Sequence, residues 1–453
     1  MIPIVALFAG VPGPARPADG DKIMLDATRY DILAGRYSVF ARFQESLQRT
    51  LDACGKGTPP VVPEGEEPSG RIGVATREGI QRALECAALR DVPRDSPAKD
   101  GVLTESVWRA VMGRAPLPTV QERADALILS YEATDFGDAP EWNLCQDGQR
   151  GELRPSKGGS PDFVCYNESD PCSFLTWGPR GATAGAGREI QWVLWMAWHR
   201  NPSEIESAFG SELNNLQRFF RLKGGGKKNC DGDIPVKHFL CAIWTDPTRR
   251  KAWEDALATL GHSESVRRAY AELYASEDFD GAKLRDYVSL WKKLGLRPSE
   301  VDYAFFLDRI THLGEPPDED DEVLHKMRAC IHKENRATSI NAAARRCLSH
   351  LQPHDTQADY RLARDVGYYL DAYPEGALTE KEIQAWAGYV PLSAVHNFGL
   401  SDVTPARIPN AAPMSSLGAK PPHAGSSELT SSELGGCPAG VLWPVHRRPP
   451  RQE

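Results

Sequence analysis

The chain has 453 residues, of which 41% are hydrophobic and 25% charged. That composition excludes collagen-like, coiled-coil and wholly disordered classes, and at roughly 150 residues per domain it leaves room for about three cores. The net charge of −9 excludes a general nucleic-acid binder, because neutralising phosphates requires a basic field.

The first apolar run, Ile2 to Val11, contains Pro3 and falls short of the ~20 residues of a membrane span, and no later run reaches that length. With the small residues Gly13, Ala15 and Ala18 beyond it, the run has the apolar stretch and cut-site character of a secretory leader, without the usual positive start. Phe40, Phe43, Leu47 and Leu51 then recur at helical spacing. After the Pro/Gly/Glu stretch 59–70, Thr76 is expected to cap a helix carrying Ile80, Ala83, Leu84 and Ala87. A third short helix is expected after Thr104, with Val107, Trp108 and Val111 on one face and the polar turn Lys99-Asp100-Gly101 before it.

At Thr119 the spacing of Thr119 and Glu122 predicts a capping box, followed by an apolar stripe of Val120, Ala124, Leu127, Ile128 and Tyr131. Glu132 stands beside that stripe at the helix C-terminus. There the macrodipole and partial burial both disfavour a carboxylate, so its pKa is expected to rise, as suits a general acid. Aromatic and β-branched residues between glycines predict a short hairpin within Asp170–Gly187, and Trp177 on it could stack on a sugar. Trp192, Trp195 and Trp198 read as core.

Further on, Asp246-Pro247, Ser263 and Pro298-Ser299-Glu300 each open a helix. The last of these helices carries Asp302, Asp308, Arg309 and His312, expected to pair as surface ions or to line the far wall of a cleft. No G-x-S-x-G, H-E-x-x-H, P-loop or complete dinucleotide-binding motif occurs, so no cofactor and no metal site is expected.

The ten cysteines include no C-x-x-C pair and no histidines at ligand spacing, which favours disulfides in an oxidising compartment over zinc. Cys230 with Cys241 and Cys330 with Cys347 are the local pairs expected. The fold class is mainly α (α+β). The expected divisions are a leader at 1–35, a small helical bundle at 36–115, a helical domain with the hairpin at 116–314, a helical extension at 315–400 and a disordered tail at 401–453.

Two resemblances give this organisation a function. Gly70-Arg71-Ile72-Gly73-Val74-Ala75-Thr76 and Asp100-Gly101-Val102-Leu103-Thr104-Glu105-Ser106-Val107-Trp108 resemble the repeated turns of three-helix peptidoglycan-binding domains. The arrangement of helix, carboxylate, polar insert, hairpin and helix across 116–314 resembles the lysozyme-like superfamily, which includes phage-type lysozymes, lytic transglycosylases and chitosanases. That resemblance implies a periplasmic or secreted enzyme cleaving peptidoglycan or a related glycan, with no nucleic-acid partner and no integral membrane segment. It places the general acid on Glu132, the second carboxylate on Asp170 and the hairpin threonine on Thr176, six positions after Asp170. Trp177, Arg180 and Glu189 would contact substrate. Asp135, Asp138 and Asp147 compete for the second carboxylate, and Glu189 competes for the acid. Glycoside cleavage needs such a pair, one carboxyl protonated and one ionised. A chitosanase-like hydrolase of another glycan and a wall-binding protein without catalysis are the alternatives.

Overall fold

The computed structural model describes residues 21–413, apart from 29–30, 63–69, 133–134, 143–153, 156–160, 163–172, 186, 223–234, 319, 335, 354–357, 375, 388–396 and 409. The described chain is mainly helical with small two-stranded sheets, and it divides into two compact units, 1–127 with 390–400 and 128–389 with 401–453.

The first unit contains β1 (Ile23–Leu25), β2 (Ile32–Leu33), α1 (Val39–Ala53), β3 (Arg71–Ile72), α2 (Val74–Ala83), β4 (Leu103–Thr104) and α3 (Glu105–Met112). Its core forms as the spacing predicts: Phe40, Phe43, Leu47 and Leu51 of α1 are buried, and Trp108 of α3 stacks on Phe43 at 5.5 Å. Ser38 caps α1 and Thr104 caps α3, each accepting from backbone N–H groups of the first turn.

One expectation needs correction here. Thr76 does not cap α2, which begins at Val74 after Gly73. Its hydroxyl lies inside the unit instead, accepting from Gln44 Nε2 at 2.8 Å and donating to the Val61 carbonyl at 3.1 Å. Residues 23–33, within the stretch 1–35, contribute two strands: β1 pairs antiparallel with β4, and β2 with β3. Gly70, at φ +55°, is required by this second pairing, because a Cβ there would lie 2.1 Å from the Gly35 carbonyl oxygen.

A thirteen-residue helix, α4 (Val120–Glu132), leads into the second unit. Its capping box is present: Glu122 N–H donates to the Thr119 hydroxyl at 3.1 Å and Thr119 N–H to the Glu122 carboxylate at 2.9 Å. The second unit continues with β5 (Arg154–Pro155), β6 (Pro161–Asp162), β7 (Ser173–Trp177), β8 (Ala182–Gly185), α5 (Glu189–Arg200), α6 (Pro202–Phe209), α7 (Leu213–Phe219), α8 (Pro235–Thr245), α9 (Pro247–Gly261), α10 (Glu264–Ala275), α11 (Asp280–Lys293) and α12 (Glu300–Leu313). It is completed by α13 (Asp321–Lys333), α14 (Ile340–Leu351), α15 (Ala358–Tyr369) and α16 (Glu380–Ala387). Asp246, Ser263 and Ser299 cap α9, α10 and α12 as their sequences predict.

One core cluster joins Trp177 of β7 to Val193 and Leu194 of α5, Trp253 of α9 and Tyr270 of α10, with Trp192, Trp195 and Trp198 packed half-buried against it. Residues 401–406, expected in the tail, are tied to the start of α12. Thr404 and Ser401 carbonyls accept from Glu300 and Val301 N–H, and Ala406 N–H donates to the Pro298 carbonyl.

Two disulfides join described residues, Cys54–Cys86 and the expected Cys330–Cys347, while Cys230, expected to pair with Cys241, lies outside the described residues. Among the described residues no helix is long and apolar enough to cross a membrane. Cys330–Cys347 joins α13 to α14 across 17 positions, a loop whose closure limits the unfolded chain by about 3 kcal/mol. Cys330→Ser is therefore expected to lower unfolding stability by that amount under non-reducing conditions, and denaturant melts of variant and parent, each with and without reductant, check it.

Candidate active site

The hairpin of β7 and β8 builds a two-faced ledge. Trp177 pairs with Ala182, Thr176 with Thr183 and Leu175 with Ala184. Because side chains alternate along a strand, Trp177 and Ala182 turn into the core while Thr176 and Thr183 remain on the more open face. The connecting turn is pinned by Tyr270, whose hydroxyl accepts from Arg180 N–H at 2.9 Å and Ala182 N–H at 3.3 Å. Gly178 passes over the Tyr270 ring at φ +81°, where a Cβ would lie 2.8 Å from Cε2.

A third chain segment extends this ledge. Glu141 exchanges both backbone hydrogen bonds with Thr176, at 2.9 Å each, and so stands directly opposite it. The segment carrying Glu141 is fixed by Phe136, 4.8 Å from the Tyr270 ring, and by the Trp142 indole N–H, which donates to Glu254 at 3.0 Å. Directly opposed residues share a face, so Glu141, Thr176 and Thr183 form one row. Glu141 is exposed.

Thr183 links the row to Glu189 in the first turn of α5, its hydroxyl donating to Oε2 at 2.7 Å. Gly187 lets the backbone hug this carboxyl, since a Cβ there would lie 2.3 Å from both of its oxygens. Burial raises the Glu189 pKa. The Thr183 bond, backbone N–H groups and the Lys283 charge oppose that rise without reversing it. Tyr274 and Tyr270 pack beside the same corner, and burial raises both phenols far above their usual range.

Glu132 lies in a charged network with α12 and α15: His312 Nε2 stands 2.6 Å from its Oε1, and Arg364 Nη1 donates to the same oxygen at 2.9 Å. Arg364 also pairs with Asp308, whose other oxygen takes Arg361 at 2.5 Å, and Asp365 joins Arg361 to Arg309 at 2.8 and 2.6 Å. Asp308, Arg309 and Arg364 are fully buried, not surface ions, whereas Glu132 and His312 keep 22% and 21% of their side-chain surface exposed.

The expected rise of the Glu132 pKa is corrected by this network. Burial pushes it up, but the His312 hydrogen bond and the Arg364 charge together outweigh burial and leave it below the usual carboxylate range. A carboxyl held ionised is a poor proton donor. Glu132, Asp308 and His312 also place ligand-type atoms within 4.8 Å of one another. The Arg364 guanidinium already contacts all three, pairing with both carboxylates and standing 2.5 Å from His312 Nε2, so a positive group stands where a cation would.

No protein-family model, no curated protein and no solved structure matches this chain. Its chemistry is therefore argued from its own geometry.

Among the other expected site residues, Trp177 is only 2% exposed and offers no free stacking face. Arg180 is tied to Asp280 at 2.9 Å and lies over the Tyr274 ring at 5.5 Å, which anchors the hairpin turn. Thr176 is on the ledge, while Asp170 and Asp147 lie outside the described residues. Asp135 and Asp138 shape the turn after α4, Asp135 N–H donating to Asp138 Oδ2 at 2.6 Å.

Glu141, Thr183, Arg361 and Arg364 were missed at the sequence level. The alternation Thr176-Trp177 and Ala182-Thr183-Ala184 was the available signal for Thr183, but nothing local marks Glu141 or the two arginines. Since the Thr183 hydroxyl stabilises the ionised form of Glu189, Thr183→Val is expected to raise the Glu189 pKa further. The alkaline limb of any activity dependent on protonated Glu189 then moves to higher pH, which a pH–rate profile checks.

Proposed function

We propose that this chain is a periplasmic or secreted hydrolase of glycosidic bonds in peptidoglycan or a related glycan, with Glu189 as the proton donor. The observation that carries the proposal is the Glu189 carboxyl, held on Thr183 at the end of an open threonine row in an environment that favours its protonated form. Cleavage of a glycosidic bond requires such an acid to protonate the leaving oxygen as the C–O bond breaks. Glu132, ionised by Arg364 and His312, is not the donor in this proposal.

The first unit supports a wall substrate through the turns at Gly70–Thr76 and Asp100–Trp108, which carry the resemblance to peptidoglycan-binding domains. The disulfides Cys54–Cys86 and Cys330–Cys347 fit an oxidising location.

Incubation of purified peptidoglycan with the wild-type chain, Glu189→Gln and Glu132→Gln tests the proposal. Soluble muropeptides are expected from wild type and from folded Glu132→Gln, and not from Glu189→Gln. Loss of release in Glu132→Gln with Glu189→Gln fully active would return the acid to Glu132. Wall binding with no release by any of the three would leave a binding protein.

A further inference from the structure

We propose that the cleft between α13 and α14 is a binding site for a small aliphatic carboxylate. Its volume is about 460 Å³, within the ~300–1,000 Å³ range of ligand pockets. α13 brings Arg328, Ile331 and His332 to one side, because positions i, i+3 and i+4 share a helix face. α14 brings Ile340 and Ala343 to the other, and Leu294 and Leu296, where the chain leaves α11, complete the apolar lining. None of these residues belongs to the hairpin or to the Glu132 network.

The walls are held in place without a ligand. The Cys330–Cys347 disulfide ties α13 to α14, and Thr338 in the loop between them donates its N–H to the Ala372 carbonyl at 2.7 Å. A cleft fixed in this way binds without the cost of ordering its walls. Ile340 at its edge is 59% exposed, an apolar side chain that gains by being covered.

The polar groups give the cleft a sign. Glu334, a carboxylate in the lining, already takes Arg346 Nη1 at 2.9 Å and the Tyr373 hydroxyl at 3.3 Å. Arg328 donates from Nη2 to the Lys293 carbonyl at 2.8 Å, and neither it nor His332 has a carboxylate partner among the described residues. A chain of net charge −9 thus leaves an uncompensated guanidinium beside an aliphatic surface. A guanidinium matches a carboxylate through paired N–H···O bonds, while Leu294, Leu296, Ile331 and Ile340 suit an alkyl tail. A cationic ligand would meet Arg328 with no free carboxylate to offset it.

Calorimetric titration of the full chain with octanoate, hexanoate, acetate and the neutral octanamide tests the proposal, with Arg328→Gln and Ile340→Ser as variants. Wild type is expected to bind one octanoate saturably, to lose up to about fourfold in affinity per methylene removed, and to show no saturable acetate binding. Arg328→Gln should weaken octanoate about tenfold or more and leave octanamide unchanged, whereas Ile340→Ser should weaken both. Both side chains are exposed, so unchanged melting temperatures are expected and separate lost recognition from lost folding. No saturable octanoate binding, octanamide binding as tight as octanoate, or octanoate binding unchanged in both variants overturns the proposal. A concentration-dependent dimer in sedimentation that Ile340→Arg disperses overturns it in favour of a second copy of the chain as the occupant.

Discussion

Replacing Glu189 by Gln is expected to reduce glycan cleavage by ~10²- to 10⁴-fold, the usual contribution of a positioned acid, while the fold becomes no less stable. Both results come from the same burial. The folded state holds the Glu189 proton more tightly than the unfolded chain does. The stability this adds is fully present below the unfolded pKa and is lost as pH rises through the raised folded value. Gln carries no charge to desolvate, so at pH 8 Glu189→Gln should melt at or above the wild-type temperature, whereas at pH 4 the two should converge. Initial rates of reducing-end release and calorimetric melts at the two pH values check this. A variant that loses activity only because it unfolds fails the second measurement.

The second large effect is expected at Asp308, which has no role in substrate chemistry here. It is fully buried between Arg361 and Arg364. Asp308→Ala would leave two buried guanidinium groups with part of their charge uncompensated, a change that typically costs about 3–5 kcal/mol. Burial alone would raise the Asp308 pKa, but Arg361 and then Arg364 lower it to about 2. The sign of the pH dependence follows: with its folded pKa depressed below the unfolded value of ~3.9, Asp308 stabilises the fold above pH 4, and that contribution is lost as pH falls toward 2. Glu132, also depressed, acts in the same direction. Urea unfolding of wild type and Asp308→Ala between pH 2 and 7 should show curves far apart at neutral pH that approach one another in acid.

These two residues differ in how far sequence alone could reach. The hairpin that carries Thr183, and the helix that Glu189 opens, were legible because glycines, β-branched residues and aromatics alternate with period two before the apolar pattern of α5 begins. The caps at Thr104, Thr119, Asp246, Ser263 and Ser299 were legible for the same local reason, since each places its oxygen within three residues of the N–H it accepts.

The Asp308 network was not legible. Its partners Arg361 and Arg364 lie 53 and 56 positions away, and a charged stripe on a helix reads as a solvated face until tertiary packing buries it. The same cause reversed the expectation for Glu132: its helix-end position argued for a raised pKa, and two partners from distant helices decided the opposite. Glu141 was missed because a single opposed residue leaves no periodicity to detect, and β1 and β2 because strands of two or three residues have too few positions to alternate.

The pH profile of reducing-end release from purified peptidoglycan by the wild-type chain, measured beside Glu189→Gln, tests the central claim most directly. The account predicts new reducing ends from wild type, an alkaline limb set by a carboxyl titrating above its ordinary range, and no comparable release from the variant. Reducing-end release by Glu189→Gln at the wild-type rate, or solubilised wall fragments bearing no new reducing ends, would contradict it.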